Sequence, residues 1–145
     1  MTLKLDAKRT ALLVADFQIE NVASCPEGVE QALGHAAALL EWARRNRLRI
    51  VHIKMGFRDG WPEVMPRLRE RYVGRFIEGS EGAAFHPMVR PRDGEPVVVK
   101  RRTGPFSTTD LNSILSACGA TTLLISGIVT SGVVLSTVRW ASLQR

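Results

Sequence analysis

Apolar residues in this chain recur in two patterns. Thr10-Ala11-Leu12-Leu13-Val14-Ala15, Leu48 to Ile53, Pro96-Val97-Val98-Val99 and Leu123-Leu124-Ile125 are short runs bounded by polar residues. Such runs suit strands buried on both faces of a parallel sheet. Between them the spacing turns helical. Val29, Ala32, Leu33, Ala36, Ala37, Leu40 and Ala43 share one face, with Glu30, Glu41, Arg44 and Arg45 on the other and His35 as a surface histidine on the polar side. Leu111, Ile114, Leu115 and Cys118 share a second stripe, which makes Cys118 a small hydrophobe. Ser107-Thr108-Thr109-Asp110 offers that helix a capped start and Gly119 a stop. A last helix, 131–143, carries Val133, Val134, Val138 and Ala141. Strand and helix alternate from the first run onward. The pattern predicts an α/β fold of three layers, α/β/α and Rossmann-like, with a mainly parallel sheet in a single domain, 1–145.

One stretch breaks the alternation. Met55 to Glu95 holds Pro62, Pro66, Pro87 and Pro91 beside Phe57, Trp61, Tyr72, Phe76 and Phe85, with only Arg67 to Val73 spaced as a short helix. Excursions of that length in compact domains build pocket walls or lids, and these aromatics argue for packing. Asn21 to Gly28 reads as a loop. In open α/β sheets ligands bind beyond the carboxyl ends of the strands. Three strand ends carry candidates there: Asp16, Lys100 and the small-residue turn from Ser126 to Gly132. A helix leaving such a turn presents unpaired N–H groups and the positive end of a dipole. Spacing alone leaves Asp16 open between a catalytic group and a turn cap.

Composition narrows the function classes. The chain is 45% apolar and 23% charged, ordinary for a globular protein, and no apolar run approaches the roughly 20 residues of a membrane span. The opening MTLKLDAKRT has no apolar core of a secretory signal, so the expected location is cytoplasmic. Cys25 and Cys118 form no metal-ligand spacing, and His52 and His86 have no partner at such spacing; no metal and no cofactor are expected. The net charge of +6 comes from dispersed arginines and lysines without a nucleic-acid-binding motif, so a solvated basic surface is expected and no nucleic-acid or membrane partner.

Three pieces, LLVADFQ (12–18), VVVKRRTGPFSTTDL (97–111) and TLLISGIVTSGVVLSTVRWA (122–141), stand in the order found in the isochorismatase-like hydrolase superfamily, which the chain resembles. That group includes isochorismatases, nicotinamidases, carbamoylsarcosine amidases and related cysteine hydrolases. The resemblance implies that Asp16 is the general acid/base and Lys100 its partner. It also implies a cis peptide between Ile128 and Val129, and an anion-stabilising turn formed by Ile128, Val129, Thr130, Gly132 and Val133. Val133 takes the place of the nucleophilic cysteine, and a valine has no group to ionise. Thr130, Ser131 and Ser136 read as turn and helix-cap residues. Phe17, Gln18, Phe57, Trp61 and Phe106 are the expected substrate-pocket residues; Arg58, Arg101 and Arg102 could clamp a carboxylate, but solvated surface arginine is the favoured account of each. The implied function is hydrolysis of a small, anionic molecule by Asp-based acid/base catalysis without a cysteine nucleophile. The alternative is a non-catalytic binding protein of the same fold. The resemblance further implies a homo-oligomer, and strand and helix elements beyond 143 that this sequence lacks, so that it reads as truncated at its C-terminus.

Overall fold

The computed structural model describes residues 4–25 and 27–143, so the first three residues, Pro26 of the expected loop and the last two residues lie outside the description. Four strands are described: β1 (Thr10–Ala15), β2 (Arg49–Met55), β3 (Val97–Lys100) and β4 (Thr122–Gly127). They form one sheet in the order β3-β2-β1-β4, every pairing parallel. All six positions of β1 are buried, which is why its sequence shows no polar alternation.

Parity of position sorts the core. Leu12, Val14 and Ile50 face Leu33, Ala36, Leu40 and Ala43 of helix α2 (Val29–Arg45). Ala11, Leu13, Ala15, Val51 and Ile53 face the opposite side, where they meet Leu111 and Leu115 of α4 (Leu111–Ala117) and Val133 at the start of the last helix. The two apolar layers sandwich the sheet, as the alternating pattern predicts. The α/β fold is therefore the expected one.

Local structure departs from expectation in four places. The Asn21–Gly28 loop begins inside a short helix, α1 (Ile19–Ala23). Its first N–H groups are satisfied from far away, Ile19 N donating to Ala84 O (2.9 Å) and Glu20 N to Gly82 O (3.0 Å), so no local signal marks it. The expected box does not form at α4: Asp110 is the N-cap with no side-chain capping bond, and Thr109 Oγ1 instead accepts from Leu111 N at 3.3 Å. Cys118 lies at the helix end, half-buried, and not deep on the stripe. The last helix opens with one wide π turn (Thr130–Val134) before α5 (Leu135–Ser142).

The excursion from β2 to β3 folds around its own cluster. Met55, Phe57, Val64 and Phe76 are buried together with Trp61, Leu68 and Tyr72 packed against them. The expected helix is here a 3₁₀ turn (Pro66–Leu68) followed by α3 (Arg69–Tyr72). Gln18 pins this unit to the sheet: its Nε2 donates to Met55 O (2.8 Å) and Ala83 O (3.0 Å), and its Oε1 accepts from Met55 N (2.9 Å).

Candidate active site

Asp16 follows the last residue of β1. Its N–H continues the ladder to Ile53 O (2.9 Å), and its backbone then turns into the left-handed region at φ 62°. Aspartate tolerates that conformation better than most side chains. Asn21 of α1 holds the bend by donating from Nδ2 to Asp16 O at 2.8 Å. Lys100, the last residue of β3, pairs in register with Met55 of β2. It is therefore two strands away from β1, roughly 9–10 Å. The lysine stem spans most of that gap, and its Nζ stands 2.9 Å from Asp16 Oδ2. Lys100 is 1% exposed and Asp16 7%.

Burial of two charges is costly unless they pair. Burial pushes the Asp16 carboxyl above its ordinary value, and the Lys100 ammonium opposes that rise through its charge and hydrogen bond. Lys100 also donates to Arg102 O at 3.2 Å, so two of its three N–H donors are engaged. Asp16 Oδ1 is buried and has no hydrogen-bond partner among the described residues.

The floor of the site is the turn after β4. Gly127 pairs with Ala15 in the ladder, and a Cβ added there would meet Ala15 O at 3.0 Å and Val133 Cγ1 at 3.2 Å. Glycine thus lets the turn close onto the end of β1. The Ile128–Val129 peptide bond is cis, the isomer the resemblance implies. Two of the turn's N–H groups are already committed, Ile128's to Ala15 O (3.2 Å) and Gly132's to Val129 O (3.0 Å). An anion pocket here would rest on the others. Val133 is buried, 2% exposed, and belongs to the core beneath the turn.

A cleft of about 460 Å³ joins these parts, lined by Asp16, Lys100, Ile128, Val129, Gly132 and Val133 among others. Thr130, expected in the turn's anion pocket, is exposed and not part of the lining. None of the five expected pocket residues lines it either. Phe17 packs into the core under α2, and Gln18 spends its amide on the excursion. Phe57 and Trp61 belong to the excursion's own cluster. Phe106 stacks on Trp140 (5.7 Å, 14° between planes) beside β4. In each case the aromatic or amide group is consumed by packing.

The three arginines weighed as clamps do not line the cleft either. Arg58 pairs with Glu63 at 3.3 Å and is 69% exposed; Arg101 pairs with Glu63 and Glu78; Arg102 donates to Glu63 O at 2.8 Å. The cleft instead receives Asn21, Cys25, Arg71, Tyr72, Arg75 and Thr103, which the sequence did not single out. Arg71 and Arg75 lie near the middle of the excursion, and only its tertiary path brings them to the strand ends. Among the described residues no three His, Cys, Asp or Glu side chains cluster to hold a metal ion, and no helix is long and apolar enough to cross a membrane.

Comparison with known proteins agrees with this fold. Residues 10–143 match the family model described as the isochorismatase domain. An uncharacterized isochorismatase family protein of Bacillus subtilis, YwoC, is 33% identical over 141 residues, covering 97% of this chain and 74% of the relative. The maleamate amidohydrolase of Pseudomonas putida is 33% identical over 136 residues, covering 86% of this chain and 62% of that enzyme. In fold, a cysteine hydrolase from Pseudomonas syringae superposes with a TM-score of 0.85 at 21% identity, covering 99% of this chain and 70% of that one. A match over nearly the whole described length, on a sheet of the same kind, places this chain in the isochorismatase family of hydrolases.

Proposed function

We propose that the cleft hydrolyses a small anionic molecule, with Asp16 as general acid and base, Lys100 as its charge partner, and no covalent intermediate at residue 133. The observation that carries this reading is the buried Asp16–Lys100 pair, at 2.9 Å, lining one cleft with the apolar Val133, which the resemblance sets at the nucleophile's position. In the proposed step a proton passes from Asp16 to the leaving oxygen or nitrogen, and water adds to the carbon that group leaves. The water's proton then returns to Asp16, which restores the starting state. Burial favours the protonated carboxyl that the first half needs, and Lys100 steadies the carboxylate left behind.

The test is a hydrolysis screen of enol ethers beside amides and ureas, on the wild type and Asp16→Asn. Turnover should appear in the wild type and fall by about 10²–10⁴-fold in Asp16→Asn. An acyl intermediate trapped from an amide would overturn the water-based mechanism. Burial of an apolar Val133 at that position favours a second reading, a non-catalytic binder. That reading predicts no turnover of any compound, with ligand binding unchanged in Asp16→Asn.

A further inference from the structure

The pair at the bottom of the cleft is electrically closed: Lys100 is matched to Asp16 and to a backbone carbonyl, which leaves it little capacity for a second anion. Two further guanidinium groups line the same cleft, Arg71 without such a match and Arg75 with Glu20 only at 3.7 Å. Arg71, exposed on α3, lies over the Tyr72 ring at 5.6 Å and has no ion-pair partner among the described residues. Arg75 is held from several sides. Its Nη2 donates to Ser24 Oγ (3.0 Å), its Nε stands 3.7 Å from Glu20 Oε2, and its guanidinium lies over Phe76 at 4.7 Å. Its carbonyl accepts from Trp61 Nε1 at 3.2 Å, and the neighbouring Phe76 N–H donates to Glu20 Oε1 at 2.6 Å. A planar fork fixed in place loses little entropy on gripping a carboxylate.

We propose that Arg71 and Arg75 form a carboxylate-recognition subsite, so that the molecule this cleft accepts carries a carboxylate set apart from the bond positioned over Asp16. The inference deepens the proposed hydrolysis and rests on it for the word substrate, but recognition itself can be read without turnover. Asp16 and Lys100 then serve the reacting end, and the arginine pair selects the remote end. The unmatched charge of Arg71 also draws anions toward the cleft.

The probe is succinate against its uncharged dimethyl ester, with binding followed by titration calorimetry at low salt. Wild type and Asp16→Asn should both bind succinate and bind the ester more weakly. Arg71→Met and Arg75→Met should each weaken succinate by about 10–100-fold and leave the ester unchanged. Arg75→Lys keeps charge but not the fork, so it should fall between wild type and Arg75→Met; thermal melting checks that each variant is folded. Equal losses for succinate and ester, or folded arginine variants that hold succinate as wild type does, would overturn the subsite. No succinate binding to the wild type would overturn it too. Binding lost in the arginine variants while no compound is turned over would keep the subsite and refute the hydrolase reading.

Discussion

At the scale of single residues, Asp16 is governed by two opposing influences, burial and the Lys100 ammonium. The sign of their balance can be followed in a rate profile. A general acid works in its protonated form, so kcat/KM should fall as pH rises through the raised Asp16 value. Lys100→Met removes the influence that lowers this value, and the falling limb should move to higher pH. A limb that stays put in Lys100→Met would mean that another group sets it. The same change strands a buried carboxyl without its partner. A loss of stability of about 3–5 kcal/mol is expected above that limb, read from denaturant unfolding, and it should shrink as Asp16 is protonated. Asp16 and Lys100 were legible in sequence because each ends an apolar run. Arg71 and Arg75 were not, since nothing in a run of dispersed arginines says which of them fold back over a strand end. Phe57 and Trp61 misled for a related reason: aromatic residues in a long excursion serve its own small core before they serve a ligand.

At the scale of elements, β4 and the turn after it are the part most exposed to small changes of shape. Gly127 sits where a methyl group would press on the Ala15 carbonyl and on Val133. Gly127→Ala should therefore push the turn from the end of β1, costing about 1–3 kcal/mol of stability. Turnover should fall further than the folded fraction, because the cleft floor moves relative to Asp16. Activity that simply tracks the folded fraction in a thermal melt would contradict this. The strands, α2 and α4 followed from the period of their apolar residues alone, since burial of one face or of both is written into each run. Helix α1 did not, because Gly82 and Ala84 of the excursion complete its first hydrogen bonds. The segment from Met55 to Glu95 was readable as a packed insertion but not as a path. Its course is set by contacts such as Gln18 to Met55 and Ala83, which join residues far apart in the chain.

At the scale of the whole molecule, the end of the sheet opposite the cleft is closed by charges. Glu95, just before β3, accepts from Arg44 of α2 at 2.7 and 2.8 Å and from Arg92 N at 3.0 Å, and lies 2.7 Å from His52 Nε2 of β2. Burial alone would raise the Glu95 carboxyl, but these hydrogen bonds outweigh it and hold the group down at about 2. A depression of that size from 4.5 is worth about 3 kcal/mol of stability. Since the folded value is the lower one, this contribution is present above about 4.5 and is lost as pH falls toward 2. Burial also lowers the His52 value against the pull of Glu95, so protonating His52 below 6.5 weakens the fold further. Glu95→Gln should lower stability at neutral pH by about 2–3 kcal/mol and converge on the wild type near pH 2, with turnover little changed; a constant gap at every pH would argue against this account. The strand order has a last consequence. Asp16, just after β1, and Lys100, on β3, are joined through β2, whereas the floor arrives on β4, the last of the four described strands in sequence order. A growing polypeptide can bring acid and amine together well before that strand emerges from the ribosome. Until it docks, the Asp16–Lys100 pair lacks the turn that lines the cleft beside it.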